Sequence, residues 1–361
     1  MILGVLIFEP RRRPLVSECD GSQVVGVDLH RRRSVIVRQS ESGERLGVRR
    51  MVNDPAELMA EVSKAGPSPR VVLEATYGWY WAADALAEVG AEVHLAHPLG
   101  VKGFTYRRVK NDVRDASDLA DLLRLGRLPE SWIAPPAVRE LREVVRHRAK
   151  LVQWRSGLKA SVHAVLAKQG VQLPVSDVFG VRGRLLLAQA RLDKPYRARV
   201  NSLCRLIEAC TWEIDLATQL VTQRLAHHDG YRVIQQLPGV GPVLAAVFIA
   251  EIGDVHRFTS ARHLCSWAGL TPKHRESDTK VHRGRLTKQG SPLLRWAAIE
   301  AVQKMPADAG WLVSTRTAIA ARRGRQIATV AVARKLLTLI FYGLRDGHIR
   351  ALHQPHQTVA G

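Results

Sequence analysis

The sequence predicts a chain of α/β class followed by a mostly helical half. From Gln23 to about Pro98, short apolar runs rich in β-branched residues alternate with segments of helical spacing. From residue 137 to 228 the apolar residues recur at the spacing of long helices, and beyond Tyr231 glycine-rich turns separate further helical segments. An alternation of this kind favours a sheet with helices packed on its faces.

The strands and helices of the first part follow in order. The run VVGVDLH predicts a buried central strand that brings Asp28 to the edge of the sheet. SVIVRQ and RLGVRRMV, separated near a Ser-Gly pair, predict a hairpin. NDPAELMAEVSKAG predicts a helix capped by Asn53 or Asp54, and PRVVLEA and EVHLAHP predict two strands separated by another helix. A three-strand meander followed by this alternation predicts a mixed sheet of the ribonuclease-H-like fold.

The middle of the chain carries two helical stretches. In the second, the apolar residues advance in heptad-like steps of four and three. A helical hairpin within the domain and a coiled coil that pairs two subunits both fit this pattern. The residues of the repeat are Leu203, Ile207, Cys210, Ile214, Ala217 and Val221.

The last third combines a glycine-rich turn with a basic segment. In LPGVGPVLAAVFIAEIG, Gly239 and Gly241 allow a tight turn before a helix whose N-terminus offers backbone N–H groups to a phosphate. This predicts a helix-hairpin-helix, although a plain turn between helices needs the same glycines. The segment GLTPKHRESDTKVHRGRLTKQGSPLLRWA interleaves Lys and Arg with Gly and Ser, which favours contact with a phosphate backbone.

These patterns predict five regions. A flexible extension precedes the catalytic α/β domain, a helical coiled-coil region follows it, and a C-terminal domain ends in a tail. The predicted ranges are 1–20, 21–136, 137–228, 229–350 and 351–361.

The net charge of the chain indicates the class of molecule that it binds. The 361 residues contain 54 Lys and Arg against 33 Asp and Glu, a formal net charge of +21. This excess favours a polyanion, either nucleic acid or an acidic membrane surface, and nucleic acid is preferred. Arg outnumbers Lys, which suits bidentate contacts with phosphate. No apolar run approaches the length that a membrane helix needs. Four cysteines show no metal-binding spacing, which predicts reduced thiols in a cytoplasmic protein.

Acidic residues at the ends of separate elements predict a metal centre. Asp28 and Glu74 each end an apolar strand, and Asp112 and Asp115 lie one turn apart at the start of a predicted helix. Carboxylates on separate elements are what two Mg²⁺ ions need to clamp a phosphodiester. Asp118, a turn further along, is a weaker candidate. Taken singly, each acid also fits a turn, a surface position or a solvated helix face.

Six segments carry a resemblance to a known family. VGVDLH, VVLEATYGWYW, KNDVRDASDLADLL, LPGVGPVLAAVFIAEIGD, GLTPKHRESD and RGRLTKQGSPLLRWA, in this order, resemble the DEDD transposases of the insertion-sequence-110 type. The resemblance implies an N-terminal RuvC-like domain whose four acids are Asp28, Glu74, Asp112 and Asp115. It also implies a serine nucleophile after the GLTP motif, which falls on Ser277, with Ser291 and Ser266 as weaker alternatives. The family usually has glycine after this serine, where this chain has Asp278.

The resemblance implies a mechanism and partners. Ser277 would attack a DNA phosphodiester to form a phosphoserine link, with the metal-bound acids assisting, and rejoining would give recombination. Family members are similar in using a bridge RNA to choose donor and target DNA, and in forming dimers that pair into tetramers, in which the acids and the serine come from different subunits. A bacterial, nucleoid-associated protein is expected. The predicted nucleic-acid contacts are Gly239, Gly241, Arg275, Lys280, Arg283, Arg285 and Lys288.

Two other functions remain compatible with the residues. One is a RuvC-like endonuclease that hydrolyses branched DNA with metal-activated water and leaves no adduct on the protein. The other is a nucleic-acid-binding protein that has lost catalysis. Both differ from the transposase in the products formed with Mg²⁺ and DNA.

Overall fold

The computed structural model describes residues 23–104, 111–278 and 280–352, without the side chains of Arg275, Val281 and Arg283. The predicted extension and nearly all of the predicted tail lie outside these ranges. The described chain forms two compact units that divide between Ile133 and Ala134. The finer predicted boundaries within the second unit stay a prediction.

The first unit is built on a six-stranded mixed sheet with the order β3-β2-β1-β4-β5-β6. Strand β2 runs antiparallel to β1 and β3, whereas β4 is parallel to both β1 and β5. The predicted mixed sheet with helices is thus confirmed. The strands are β1 (Val24–Leu29), β2 (Arg33–Gln39), β3 (Arg45–Val52), β4 (Arg70–Glu74), β5 (Glu92–Ala96) and β6 (Glu130–Ser131).

Helices cover both faces of this sheet. The first two pack against Val25 and Val27 of β1, and α4 packs on the opposite face, which Val24 shares. Asp54, rather than Asn53, caps α1: its carboxylate accepts a hydrogen bond from Glu57 N at 2.9 Å. The helices are α1 (Pro55–Ser63), α2 (Trp79–Glu88), α3 (Pro98–Val101) and α4 (Asp112–Arg124).

The second unit is helical apart from one hairpin. The elements are α5 (Pro136–Lys168), α6 (Val181–Gln189), α7 (Lys194–Leu225), α8 (Asp229–Ile234), α9 (Pro242–Ile252), α10 (Ala261–Trp267), β7 (Pro272–Ser277), β8 (Lys280–Leu286), α11 (Pro292–Gln303), α12 (Trp311–Arg323) and α13 (Arg325–Asp346). Its core is formed mainly by α9, α11 and α13.

The two long helices α5 and α7 pair side by side. Arg148 Nε donates to Thr218 Oγ1 at 2.7 Å and Arg155 donates to Thr211 Oγ1, so residue numbers rise along α5 as they fall along α7. The helices are therefore antiparallel. The heptad residue Ile207 is buried in a cluster with residues of α5, so this seam has its partner within the same chain. Pairing of two subunits through this region stays a prediction.

The closing helix α13 is long and apolar enough to cross a membrane by length and composition. Half of its apolar window is nevertheless buried in the protein, and Leu336, Leu337 and Ile340 are fully enclosed. Such burial is what the core helix of a globular unit requires.

A buried acid joins α9 to α5. Glu251 is 1% exposed, and its two carboxylate oxygens accept hydrogen bonds from Arg146 at 2.7 and 2.9 Å. Burial alone would raise the pKa of Glu251, but hydrogen bonds from Arg146 and Ser291, with the charge of Arg142 nearby, lower it. A folded-state pKa below the ordinary value means that the ionised carboxylate stabilises the fold.

Glu251→Gln is therefore expected to lower the free energy of unfolding by about 2–3 kcal/mol, because it leaves Arg146 without its charged partner. This contribution is present above about pH 4.5 and is lost as the pH falls through the folded pKa. Urea unfolding at pH 7 and at a series of pH values from about 4.5 downwards measures it. Glu140→Gln, which removes an exposed pair with Arg224, is the control and should cost less than about 1 kcal/mol. Equal losses of unfolding free energy in the two variants would contradict this assignment. So would a difference in stability between Glu251→Gln and wild type that persists in acid.

Candidate active site

Two of the predicted acids emerge side by side from the sheet. Val27 of β1 pairs with Leu73 of the parallel strand β4, so the next residues, Asp28 and Glu74, leave the same edge on neighbouring strands. Alternation along β1 places Asp28 on the sheet face that Gly26 shares, which is the face covered by α4. Asp28 is largely buried, with 13% of its side chain exposed.

Helix α4 brings the other acids to this edge through a close contact with β1. A Cβ atom on Gly26 would lie 1.9 Å from the carbonyl oxygen of Ala116 and 3.2 Å from the Cβ of Ala120. Small residues on both elements therefore let the helix backbone lie directly on the strand. This contact brings the first turn of α4 to the end of β1.

The first turn of α4 carries Asp112 and Asp115. Asn111 caps the helix, with Oδ1 accepting a hydrogen bond from Val113 N at 3.0 Å. Negative side chains in a first turn are favoured by the helix dipole. Asp118 lies about 160° around the helix from Ala116, the residue that touches β1, so it points away from the sheet. It remains the weaker candidate.

A histidine that sequence reasoning did not assign joins the acids. His30 Nε2 lies 3.1 Å from Asp28 Oδ2 and 3.6 Å from Asp112 Oδ1. Donor atoms of these three side chains lie within 4.8 Å of one another, the one such group among the described residues. The sequence contained a signal for this contact, because His30 follows Asp28 by two positions and residues two apart on a strand share a face.

This donor set fits a divalent cation. Carboxylates of Asp28 and Asp112 and the imidazole of His30 meet at the carboxyl end of the central strand. Carboxylate oxygens suit Mg²⁺ and Mn²⁺, and an imidazole suits transition metals. The structure thus brings Asp28 and Asp112 together, places Glu74 beside Asp28 by strand register, and places Asp115 in the same helical turn as Asp112.

Ser277 lies in the second unit, at the end of β7. It pairs with Lys280 across the β7–β8 hairpin, and its side chain is exposed. Asp278, the first loop residue, has φ +52. Asp adopts this left-handed conformation more readily than most residues other than glycine, so it meets the same backbone requirement that glycine would. The weaker alternatives differ: Ser291 caps α11 by accepting from Leu294 N, and Ser266 lies within α10.

Three of the predicted basic contacts lie in β8 or just after it. Lys280, Arg285 and Lys288 are exposed, as a phosphate-binding role requires. The side chains of Arg275 and Arg283 lie outside the described residues.

The two glycines before α9 differ in role. Gly239 has φ +81, and a Cβ there would lie 2.1 Å from the carbonyl oxygen of Ala301 in α11, so this glycine serves packing. Gly241 is the N-cap of α9 and has no atom within 4 Å of its Cβ position, so the space beside this glycine is open. Of the two, only Gly241 has surroundings that suit a direct phosphate contact.

Comparison with known proteins gives two family matches. A DEDD transposase model of the IS110 type matches residues 25–169, which include all four predicted acids. The model of the transposase IS116/IS110/IS902 family matches residues 231–311, which include Ser277. Together they cover both units.

Individual proteins are similar over most of the chain. The transposase for insertion sequence element IS1111A of Coxiella burnetii is 26% identical over 356 residues, 93% of this chain and 92% of that protein. The transposase for insertion sequence element IS1328 of Yersinia enterocolitica is 22% identical over 340 residues, 90% of this chain and 98% of that protein. The Sinorhizobium fredii protein y4qE is 28% identical over 224 residues, a match that spans 62% of this chain and 54% of its own length. The family matches, the acids at the sheet edge and these relatives agree: the chain belongs to the IS110 family of insertion-sequence transposases.

Proposed function

We propose that this protein cuts DNA at specific sites and rejoins the strands, as the transposase of an insertion sequence. The observation that carries the proposal is the meeting of Asp28 and Asp112 at the carboxyl end of β1, in a chain of this family. Acids from separate elements at one point serve a metal-dependent phosphoryl transfer better than they serve the stability of the sheet. Glu74 and Asp115 complete the proposed site.

In this proposal the four acids hold Mg²⁺, with two ions expected. Metal ions bound there would supply Lewis-acid stabilisation of the charge that develops on the phosphoryl oxygens. The protein's own contribution is to position the acids. Strand β1 and the Gly26 contact with α4 hold Asp28 and Asp112 near each other before substrate arrives, so little reorganisation is needed.

The proposed nucleophile is Ser277. Its Oγ forms a bond to the phosphorus of a DNA phosphodiester, and the bond from phosphorus to the 3′-oxygen breaks. The serine hydroxyl loses its proton and the departing 3′-oxygen gains one. Because the phosphoserine link conserves a phosphoester, attack by the 3′-hydroxyl of another strand restores a DNA linkage without an external energy source. Lys280, directly across the hairpin, would offset phosphate charge.

The proposed partners are donor DNA, target DNA and a bridge RNA, bound by an oligomer that reaches a tetramer. The net charge of +21 and the exposed Lys280, Arg285 and Lys288 support binding of nucleic acid. Charge alone does not separate DNA from RNA, so the RNA rests on the resemblance.

Asp28→Asn tests the proposal. In an assay with purified protein, DNA carrying the element ends, Mg²⁺ and the noncoding RNA transcribed beside the gene, this variant should lose strand cleavage by at least about 10³-fold, because the amide removes a charged metal ligand. Asp121→Asn, at the far end of α4, removes only a surface pair with Arg124 and should retain activity. Wild-type cleavage by the Asp28 variant would refute the proposed acid site.

A further inference from the structure

We propose that His30 is a direct ligand of the metal centre, which therefore binds Mn²⁺ with one nitrogen donor in addition to carboxylate oxygens. The inference rests on the proposed function, since it concerns the metal of that same site. It goes beyond the four acids by adding an imidazole to the coordination sphere and by naming the kind of ion that such a set prefers.

The ring of His30 lies close to two of the acids. His30 Nε2 is 3.1 Å from an Asp28 oxygen and 3.6 Å from an Asp112 oxygen. Two adjacent ligands of an octahedral cation, each about 2.1 Å from it, lie about 3 Å apart. The same ring nitrogen therefore lies at ligand-to-ligand distance from one acid on β1 and close to that distance from another on α4.

Hydrogen bonds hold the backbone at His30 in place. His30 N donates to Arg33 O at 3.1 Å, and Asn53 Nδ2 donates to His30 O at 2.7 Å. Asn53 is itself held, because its Oδ1 accepts a hydrogen bond from Ser34 Oγ at 2.6 Å. A ligand on a turn fixed from both sides loses little freedom when it binds an ion.

A second histidine, His94, also lies between two acids, but in a different arrangement. In the same unit, His94 is 3.3 Å from Glu92 and 3.2 Å from Glu130, but through its two different ring nitrogens. Such a histidine joins two carboxylates through two different atoms of its ring. At His30 a single nitrogen faces both acids, which suits one shared ion.

The chemistry of the donors then selects the ion. Mg²⁺ takes oxygen donors and water, whereas imidazole nitrogen is a better ligand for first-row transition metals. Mn²⁺ accepts both donor types and octahedral geometry. A set of one nitrogen and two oxygen donors is therefore expected to bind Mn²⁺ more tightly than Mg²⁺. Removal of the imidazole should reduce this difference in affinity.

Electron paramagnetic resonance of Mn²⁺ added to the full-length protein provides the test. Electron spin echo envelope modulation detects a ¹⁴N nucleus that is directly bound to Mn²⁺. We expect ¹⁴N modulation in wild type, its loss in His30→Gln, and its retention in His94→Gln, the matched control. Mn²⁺ affinity should fall about tenfold or more in His30→Gln, and the affinity for Mg²⁺ should fall less. The exposed position of His30 (46% of its side chain) favours folding of the variant, which thermal melting verifies.

The outcomes separate this inference from the function it rests on. Mn²⁺ binding by wild type without ¹⁴N modulation would overturn the ligand role of His30 and leave an all-oxygen metal centre intact. If the ¹⁴N modulation is lost in His94→Gln and kept in His30→Gln, the ion is bound elsewhere, which would also overturn the ligand role of His30. Absence of Mn²⁺ binding by wild type would overturn the metal centre itself.

Discussion

Replacing Ser277 by alanine is expected to abolish both strand transfer and the covalent protein–DNA adduct, while metal binding is unchanged. The alanine variant lacks the oxygen that would bond to phosphorus, so no phosphoserine can form. The loss should reach at least about 10³-fold, as removal of a covalent nucleophile does in other enzymes. Denaturing gel electrophoresis of labelled DNA after reaction measures both the adduct and the free strands.

This variant also separates the transposase from a hydrolytic endonuclease. If water were the nucleophile, Ser277→Ala would still cut DNA and wild type would form no adduct. Ser266→Ala is the suitable control, because Ser266 is an exposed serine of the same unit. Ser291 is unsuitable, since its side chain caps α11 and its removal costs about 1 kcal/mol of stability. An adduct formed by the Ser277 variant would refute the nucleophile assignment.

Gly26→Ala is expected to damage the acid site without touching any acid. The new Cβ would lie 1.9 Å from the carbonyl oxygen of Ala116, so β1 and α4 must separate. A clash with backbone has no side chain that could rotate away, and we expect a loss near the upper end of the usual range for overpacking, about 3 kcal/mol. The separation would also move Asp112 away from Asp28.

Two measurements on this variant test whether the contact between Gly26 and α4 positions the acids. Urea unfolding gives the change in stability, and Mn²⁺ titration gives the affinity of the site, which should fall more than tenfold because the ligands no longer converge. Gly47→Ala, in β3 of the same sheet, is the matched control: its Cβ would meet only the guanidinium end of Arg38, which can move. Full stability and metal affinity in Gly26→Ala would show that the α4 contact does not position the site.

Local sequence was enough to predict the strands, the helix starts and the candidate acids. Short apolar runs rich in β-branched residues predicted the central strands, and each candidate acid on a strand was recognised because it ends such a run. Which residue capped α1 was not decided locally. Asn53 and Asp54 have similar capping ability, and the choice depends on Asn53 being engaged with His30 and Ser34.

The heptad in α7 shows a different limit. A repeat of apolar residues specifies that a helix face is buried, but it does not specify the partner. The structure buries Ile207 and Val221 against α5 of the same chain, and nothing in the spacing distinguished that helix from a helix of a second subunit.

By itself, then, the sequence determined a mixed α/β unit, a helical second unit and a set of acids at element ends. Only the tertiary structure decided that His30 joins Asp28 and Asp112, and that a glycine in β1 lets α4 reach them. The physical reason is the range of the interactions. Propensity and periodicity act over a few residues, whereas the contacts of His30 with Asp112 and of Gly26 with Ala116 join residues more than eighty positions apart. Their existence depends on how closely a helix can lie on a sheet.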